Sequence, residues 1–208
     1  MINTIIFDFG DVLMDLDKNA SLEALKKLGL QSWNEEIDKV NQQFEKGKIT
    51  EVQFMIEMKK LMPNASIDDI RAAWNSVLID FPLARLEFLQ KLSHKYRLFL
   101  LSNTDEIHIA KFEHRVGMTF AREFYQCFEK VYFSFEIGYR KPEPEAFSFI
   151  INKHELNPKR TLFIDDKKTN TDIAASLGMH VWNLQVGSED ITDLFSKKEI
   201  PFPALSKL

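Results

Sequence analysis

Short, unbroken apolar runs punctuate the chain at Thr4 to Phe7, Leu98 to Leu101, Val131 to Phe133, Thr161 to Ile164 and Val181 to Leu184. A strand with one wet face would alternate apolar and polar positions. These runs do not, so each predicts a strand buried on both faces, as in a parallel sheet. Helical patterns fill most of the intervals, and the alternation predicts an α/β fold with a Rossmann-like, doubly wound parallel sheet core.

The interval between the first two strands is far longer than an ordinary crossover, and its apolar positions recur at helical spacing. Leu22, Leu25 and Leu28 precede Gly29, a fitting C-terminal cap; Ile37, Val40 and Phe44 form a second stripe. Val52, Phe54, Met55, Met58 and Leu61 form a third, stopped by Pro63, and Ile70, Trp74 and Val77 a fourth. Thr50 is placed to cap the third helix and Ser66 the fourth, with Asp69 completing a capping box. Four short helices predict an inserted α-helical bundle, with residues 16–84 as an inserted domain and residues 1–15 and 85–208 as the core domain. The tail after Gly187, with Pro201 and Pro203, is expected to form a short helix and an irregular strap over the core.

Composition narrows the partners more than the fold. Apolar residues make up 45% of the 208 positions and charged residues 28%, as in ordinary globular proteins, and the net charge of −4 offers no footprint for nucleic acid or an anionic membrane. Cys127 is the only cysteine, which excludes an intrachain disulfide and a four-thiolate zinc site. The apolar stretch at the N-terminus is too short for a signal peptide, and no run approaches the ~18 apolar residues of a membrane span. A cytoplasmic protein is expected; the oligomeric state is left open.

Carboxylates avoid apolar surroundings unless paired or metal-bound, yet Asp8 closes the first apolar run and Asp165-Asp166 the fourth. Parallel sheets carry their chemistry at the carboxyl ends of strands. With their neighbours, these segments read Phe7-Asp8-Phe9-Gly10-Asp11, Leu101-Ser102-Asn103-Thr104, Arg140-Lys141-Pro142-Glu143-Pro144 and Ile164-Asp165-Asp166 with Asn170 and Gly178 beyond. In that order they resemble the four-motif signature of the haloacid dehalogenase-like superfamily, and the inserted helices resemble its C1-type cap. Within the superfamily, the motifs are similar to those of bacterial α-D-glucose-1-phosphate phosphatase-like proteins.

The resemblance implies a Mg²⁺-dependent phosphatase acting on a small phosphorylated metabolite, with a sugar 1-phosphate as the favoured substrate. Its catalytic residues would be Asp8, Ser102 and Lys141, with Asp8 the nucleophile that forms an aspartyl-phosphate. Ser102, the backbone amides of Asn103 and Thr104, and Lys141 would bind phosphate; Asp8, Asp166 and the Gly10 carbonyl would hold the metal; Asp165 and Asn170 would stand behind it, Asp165 orienting Lys141. A dianionic phosphate repels a carboxylate nucleophile, so a hard oxygen-bound cation suits this chemistry.

One position departs from the pattern. Most phosphatases of the superfamily carry a second aspartate two residues after the nucleophile as general acid and base, and here that position is Gly10. Asp11 is displaced by one residue and does not inherit the role. Asp15 or Asp17, where the chain leaves the core, are candidates to supply the proton. General acid–base help is worth ~10²–10⁴-fold, so turnover should be slow or confined to good leaving groups such as an anomeric oxygen. Gly10 also keeps alive a catalytically weak phosphate-binding or regulatory module. A haloacid dehalogenase is the remaining alternative, disfavoured by the paired acidic motif. The five histidines show no metal-ligand spacing, Trp33, Phe44 and Trp74 are assigned chiefly to the bundle core, and Lys46-Gly47-Lys48 to a solvated turn, with a substrate-gripping cap loop as its alternative.

Overall fold

The computed structural model describes residues 1–202. Strand β1 (Thr4–Phe7) leads through a tight loop into β2 (Asp15–Leu16), which opens a run of four helices, α1 (Lys18–Lys27), α2 (Glu35–Glu45), α3 (Glu51–Leu61) and α4 (Ile67–Asn75). β3 (Leu78–Asp80) then returns the chain antiparallel to β2. There follow α5 (Leu83–Ser93), β4 (Arg97–Ser102), α6 (Glu106–Gln126), β5 (Lys130–Phe133), α7 (Ser134–Ile137), α8 (Pro144–Lys153), β6 (Thr161–Asp165), α9 (Lys168–Ser176) and β7 (His180–Asn183).

Five strands form one parallel sheet in the order β5-β4-β1-β6-β7. The chain builds outward from β1 on one side through β4 and β5, then crosses to the other side for β6 and β7. That reversal opens a crevice at the carboxyl ends of β4, β1 and β6, the place where open α/β sheets bind ligands. Successive residues alternate between two cores, as burial on both faces requires. Ile5, Phe7, Leu98, Leu100 and Ile164 pack with Phe9, Phe112 and Phe124, whereas Ile6, Phe99, Leu101 and Phe163 pack with Phe147 and Ile150.

The inserted helices enclose a third core of Leu25, Ile37, Phe44, Phe54, Met58, Ile70 and Trp74, with the Phe44 and Phe54 rings stacked 4.4 Å apart. Thr50 and Ser66 both form capping boxes, with Gln53 and Asp69. The fourth helix stops short of Val77. Ser76 ends it, and the Val77 carbonyl accepts from the Asp17 amide at 2.7 Å, which turns the chain toward β3.

The turn at 46–48 is more than a solvated connection. A Cβ on Gly47, whose φ is +62°, would lie 2.1 Å from the Phe135 carbonyl oxygen, and Lys46 pairs with Glu143. The glycine is required because two backbones meet there, docking the bundle beside the loop that carries Lys141. At the other end, Ile191 and Leu194 of a 3₁₀ turn (Ile191–Ser196) and Ile200 pack on the first core, and the Ile2 amide donates to the Pro201 carbonyl at 3.2 Å. Pro203 lies outside the described residues.

Candidate active site

The four motif segments converge at the carboxyl ends of the parallel strands. The Asp8 amide donates to the Ile164 carbonyl at 2.9 Å, so the residue after β1 is pinned beside the end of β6. Lys141, from the loop before α8, is the centre of the cluster. Its side chain is 1% exposed, and its ammonium lies 2.8 Å from Asp8 Oδ1 and 2.7 Å from Asp165 Oδ2. Asn103 fixes the lysine's backbone from across the crevice, accepting from the Lys141 amide at 2.8 Å and donating to its carbonyl at 2.7 Å.

The carboxylates differ in what they have left to offer. Asp165 is fully buried, and both its oxygens are taken by Lys141, by the Asn170 amide group at 2.9 and 3.0 Å and by the Lys167 backbone amide at 2.8 Å. On Asp8 the contacts with the Phe9 amide, at 2.7 Å, and with Lys141 both fall on Oδ1. Asp166 is only partly buried and has Lys18 3.4 Å from its Oδ2. Asp8, Asp165 and Asp166 each bring a carboxylate oxygen within 4.8 Å of the others.

Electrostatics follow from this crowding. Burial pushes the Asp8 carboxyl up to about 7 against the pull of Lys141, and the adjacent Asp165 pushes it the same way. For Asp165 burial is outweighed by Lys141 and the surrounding hydrogen bonds, so it is held below the usual carboxylate range. Burial would pull the Lys141 ammonium down, but Asp165 and Asp8 hold it above an ordinary lysine. Asp166 is raised by burial despite Lys18. An all-oxygen set of crowded carboxylates fits a hard divalent cation such as Mg²⁺, whose charge would relieve the mutual repulsion.

Ser102 closes β4 with 2% exposure. Thr104 departs from expectation. Its amide donates to Ser134 Oγ at 3.1 Å, and that hydroxyl donates back to the Thr104 carbonyl at 3.1 Å, so the amide expected to hold phosphate is engaged by the start of α7. Asp15 and Asp17 are committed as well. Asp15 pairs with Arg85 at 2.7 Å, and Asp17 caps α1, accepting from the Asn19 and Ala20 amides. Asp11, at φ 58°, accepts from the Leu16 amide at 3.3 Å and pairs with Lys18. A side chain at Gly10 would meet Leu16, whose Cδ1 lies 2.7 Å from where its Cβ would be.

Sequence patterns missed Lys18, Asn41 and Glu45 of the inserted helices and His108 of α6. With Trp33 and Trp74, which were assigned to the bundle core, they line a cleft of about 320 Å³, which Lys18 joins to Asp166. His108 is structural in a specific way. Its ring stacks on Trp74 at 5.2 Å, Nδ1 lies 3.0 Å from Asp105 Oδ2, and Asp105 also accepts from Trp74 Nε1 at 3.1 Å. Burial alone would lower the His108 pKa, but Asp105, and more weakly Glu45, raise it; Asp105 is held down by His108 despite its own burial.

These shifts set a stability window. The raised histidine stabilises the fold fully below its unfolded value of 6.5 and loses that effect as pH rises through its folded value; the lowered aspartate stabilises above 3.8 and loses it as pH falls. His108→Gln should therefore cost about 1.5–3 kcal/mol between these limits, the range for hydrogen bonds to charged groups. The cost should shrink on raising pH beyond the window. Urea unfolding of both proteins across pH checks this, and a pH-independent difference would remove the ion pair from the account.

Comparison with known proteins adds relatives to this geometry. The family of haloacid dehalogenase-like hydrolases matches residues 2–178. A D-ribitol-5-phosphate phosphatase of Bacteroides thetaiotaomicron is 29% identical over 195 residues, covering 91% of this chain and 95% of that protein. The HAD family enzyme bt-2542 of the same species, solved with magnesium and inorganic phosphate, is 37% identical, with a TM-score of 0.83 over 94% of this chain and all of that one. A predicted HAD-like hydrolase of Porphyromonas gingivalis superimposes with a TM-score of 0.82 at 27% identity, covering 94% and 97% of the two chains.

Proposed function

Since the chain belongs to the haloacid dehalogenase-like hydrolase family, we propose that it is a Mg²⁺-dependent phosphatase that hydrolyses a small phosphorylated metabolite through an aspartyl-phosphate on Asp8. The observation that carries this reading is Lys141, buried between Asp8 and Asp165 beside a third carboxylate, Asp166.

Asp8, Asp166 and the Gly10 carbonyl would hold the metal. When bound, Mg²⁺ supplies positive charge against the phosphoryl oxygens and the repulsion between phosphate and carboxylate. Asp8 attacks phosphorus through Oδ2, the oxygen outside its bonds to Phe9 and Lys141, the bond from phosphorus to the substrate oxygen breaks, and the departing alkoxide takes its proton from solvent water. Water then cleaves the acyl phosphate, releasing inorganic phosphate and restoring the carboxylate. Lys141 offers a point charge to nucleophile and phosphate together, held in place by Asp165 and by Asn103. Ser102 donates to a phosphoryl oxygen, with the Asn103 amide beside it. Asn170 fixes Asp165 and thereby the lysine. Pre-organisation of this kind is where most electrostatic catalysis resides.

Gly10 bears on the substrate. With Leu16 against it, the position offers no carboxylate to protonate the leaving oxygen. An anomeric oxygen departs more readily than an ordinary alcohol, which favours a sugar 1-phosphate. The relative named for D-ribitol 5-phosphate acts on the phosphate of a primary alcohol and favours a terminal polyol phosphate instead.

Phosphate release from a panel of sugar 1-phosphates, sugar 6-phosphates and alditol phosphates, in Mg²⁺ and in chelator, separates these. Chelation is expected to remove at least ~10³-fold of turnover, consistent with the several kcal/mol of charge stabilisation a metal supplies. Turnover indifferent to chelator would sink the metal assignment. Binding of Mg²⁺ and phosphate without turnover of any member would favour the second reading, a phosphate-binding module, which Gly10 motivates.

A further inference from the structure

Above the phosphate site, α2 carries polar groups that folding alone does not explain. Asn41 and Glu45 lie one helical turn apart and both line the cleft of about 320 Å³. Asn41 Nδ2 donates to Glu45 Oε1 at 3.4 Å. Asn41 Oδ1 and Glu45 Oε2 are buried with no hydrogen-bond partner among the described residues, and so is Arg140 Nε. Arg140 Nη2 lies 2.7 Å from Glu45 Oε2, close enough for charge pairing but off the axis of a hydrogen bond. Burial pushes the Glu45 carboxyl up against the pull of Arg140, so its oxygen would gain from further donors. Native proteins rarely leave such atoms unpaired, and three of them, two on residues lining the cleft and one on the arginine paired with that lining, point to a ligand that completes them.

The cleft's connections say which part of a ligand this is. Lys18, in its lining, reaches Asp166 and Asp11, and Arg140, which pairs with the lining residue Glu45, directly precedes Lys141. A substrate whose phosphate rests at Asp8 and Lys141 would extend its leaving group toward Asn41 and Glu45. Two acceptors one helical turn apart, with the Arg140 guanidinium brought to one of them from another loop, match adjacent hydroxyls, each of which donates and accepts. Trp33 and Trp74, stacked 6.1 Å apart, give the same cleft an apolar wall for C–H faces. A carboxylate on the ligand would meet Glu45 as a like charge. The volume lies near the lower end of the ~300–1,000 Å³ typical of small-molecule pockets.

We propose that Asn41, Glu45 and Arg140 form a hydroxyl-reading subsite that selects phosphates of neutral polyols bearing adjacent hydroxyls over aryl or carboxylate-bearing phosphates. This rests on the phosphatase assignment above and names its substrate class.

The test compares kcat and KM of the wild-type protein, Asn41→Leu and the more conservative Glu45→Gln on a pentitol 5-phosphate and on phenyl phosphate, with thermal melts to verify folding. Each variant is expected to lower the ratio of kcat/KM for the pentitol phosphate to that for phenyl phosphate by at least ~10-fold, chiefly through KM, because a site built to bond hydroxyls discriminates by leaving its own groups unpaired. An unchanged ratio in both variants, or a parallel fall on both substrates, overturns the subsite. Wild-type protein that cleaves phenyl phosphate but no polyol phosphate overturns the subsite and leaves the phosphatase standing; failure on every phosphate in Mg²⁺ overturns both.

Discussion

Asp8→Asn is expected to lower turnover by at least ~10⁴-fold while leaving the fold intact. The amide keeps an oxygen for the Phe9 amide but is no nucleophile, and it cannot form the acyl phosphate. Stability should stay level or rise at alkaline pH. Burial, opposed by Lys141 and reinforced by Asp165, lifts the Asp8 carboxyl from 3.8 to about 7. A carboxyl raised in this way favours the native state fully below 3.8 and loses that effect as pH rises through about 7, so at pH 8 its charge weighs against folding. A neutral amide of the same shape relieves that cost, although Lys141 then keeps only Asp165 as a charged partner. The measurements are a thermal melt at pH 8 and a label-transfer experiment from a radioactive phosphate ester. Wild-type protein should trap phosphate on the chain, and Asp8→Asn should not. Near-wild-type turnover in the variant would assign the nucleophile to another residue, and an unfolded variant would make Asp8 primarily structural.

Much of this arrangement is legible in the sequence because local patterns encode it. Strands buried on both faces need continuous apolar runs, so β1, β4 and β6 announce themselves, and a carboxylate directly after such a run has few structural excuses. Helix caps are local too, which is why Thr50 and Ser66 stand where their side chains predict. What pattern reasoning missed is held by contacts between distant positions. Nothing near Glu45 in the chain points to Arg140, nothing near His108 to Trp74, and nothing near Lys18 to Asp166. The Thr104 amide was expected to serve phosphate for the same reason, since its partner Ser134 lies across β5. Asp15 and Asp17 looked available only because Arg85 and the first turn of α1 were out of view. β2 and β3 were missed because two- and three-residue strands leave no periodicity to read.

Lys141→Met is expected to produce the largest loss of stability, about 3–5 kcal/mol, the range for removing one partner from a buried ion pair. That is a large share of the ~5–15 kcal/mol by which domains are stable. Methionine replaces the stem but not the ammonium, and it leaves Asp8 and Asp165 buried without the cation between them. Asn170 and the Lys167 amide can still bond Asp165, whereas Asp8 keeps only the Phe9 amide, so its proton is the first to be taken up. The loss should therefore be greatest at alkaline pH, where both carboxylates must remain charged, and smaller under acid conditions. Added Mg²⁺ should return part of it, because an ion that binds only the folded state stabilises by RT ln(1 + [Mg²⁺]/Kd). Turnover should not return with it, since the lysine's contact with the nucleophile is gone. Urea unfolding of wild type and variant, at two pH values and with and without Mg²⁺, measures all three effects. A loss below about 1 kcal/mol would place the pair in the weak regime of surface salt bridges and would separate Lys141 from the electrostatic balance that keeps Asp8 and Asp165 together.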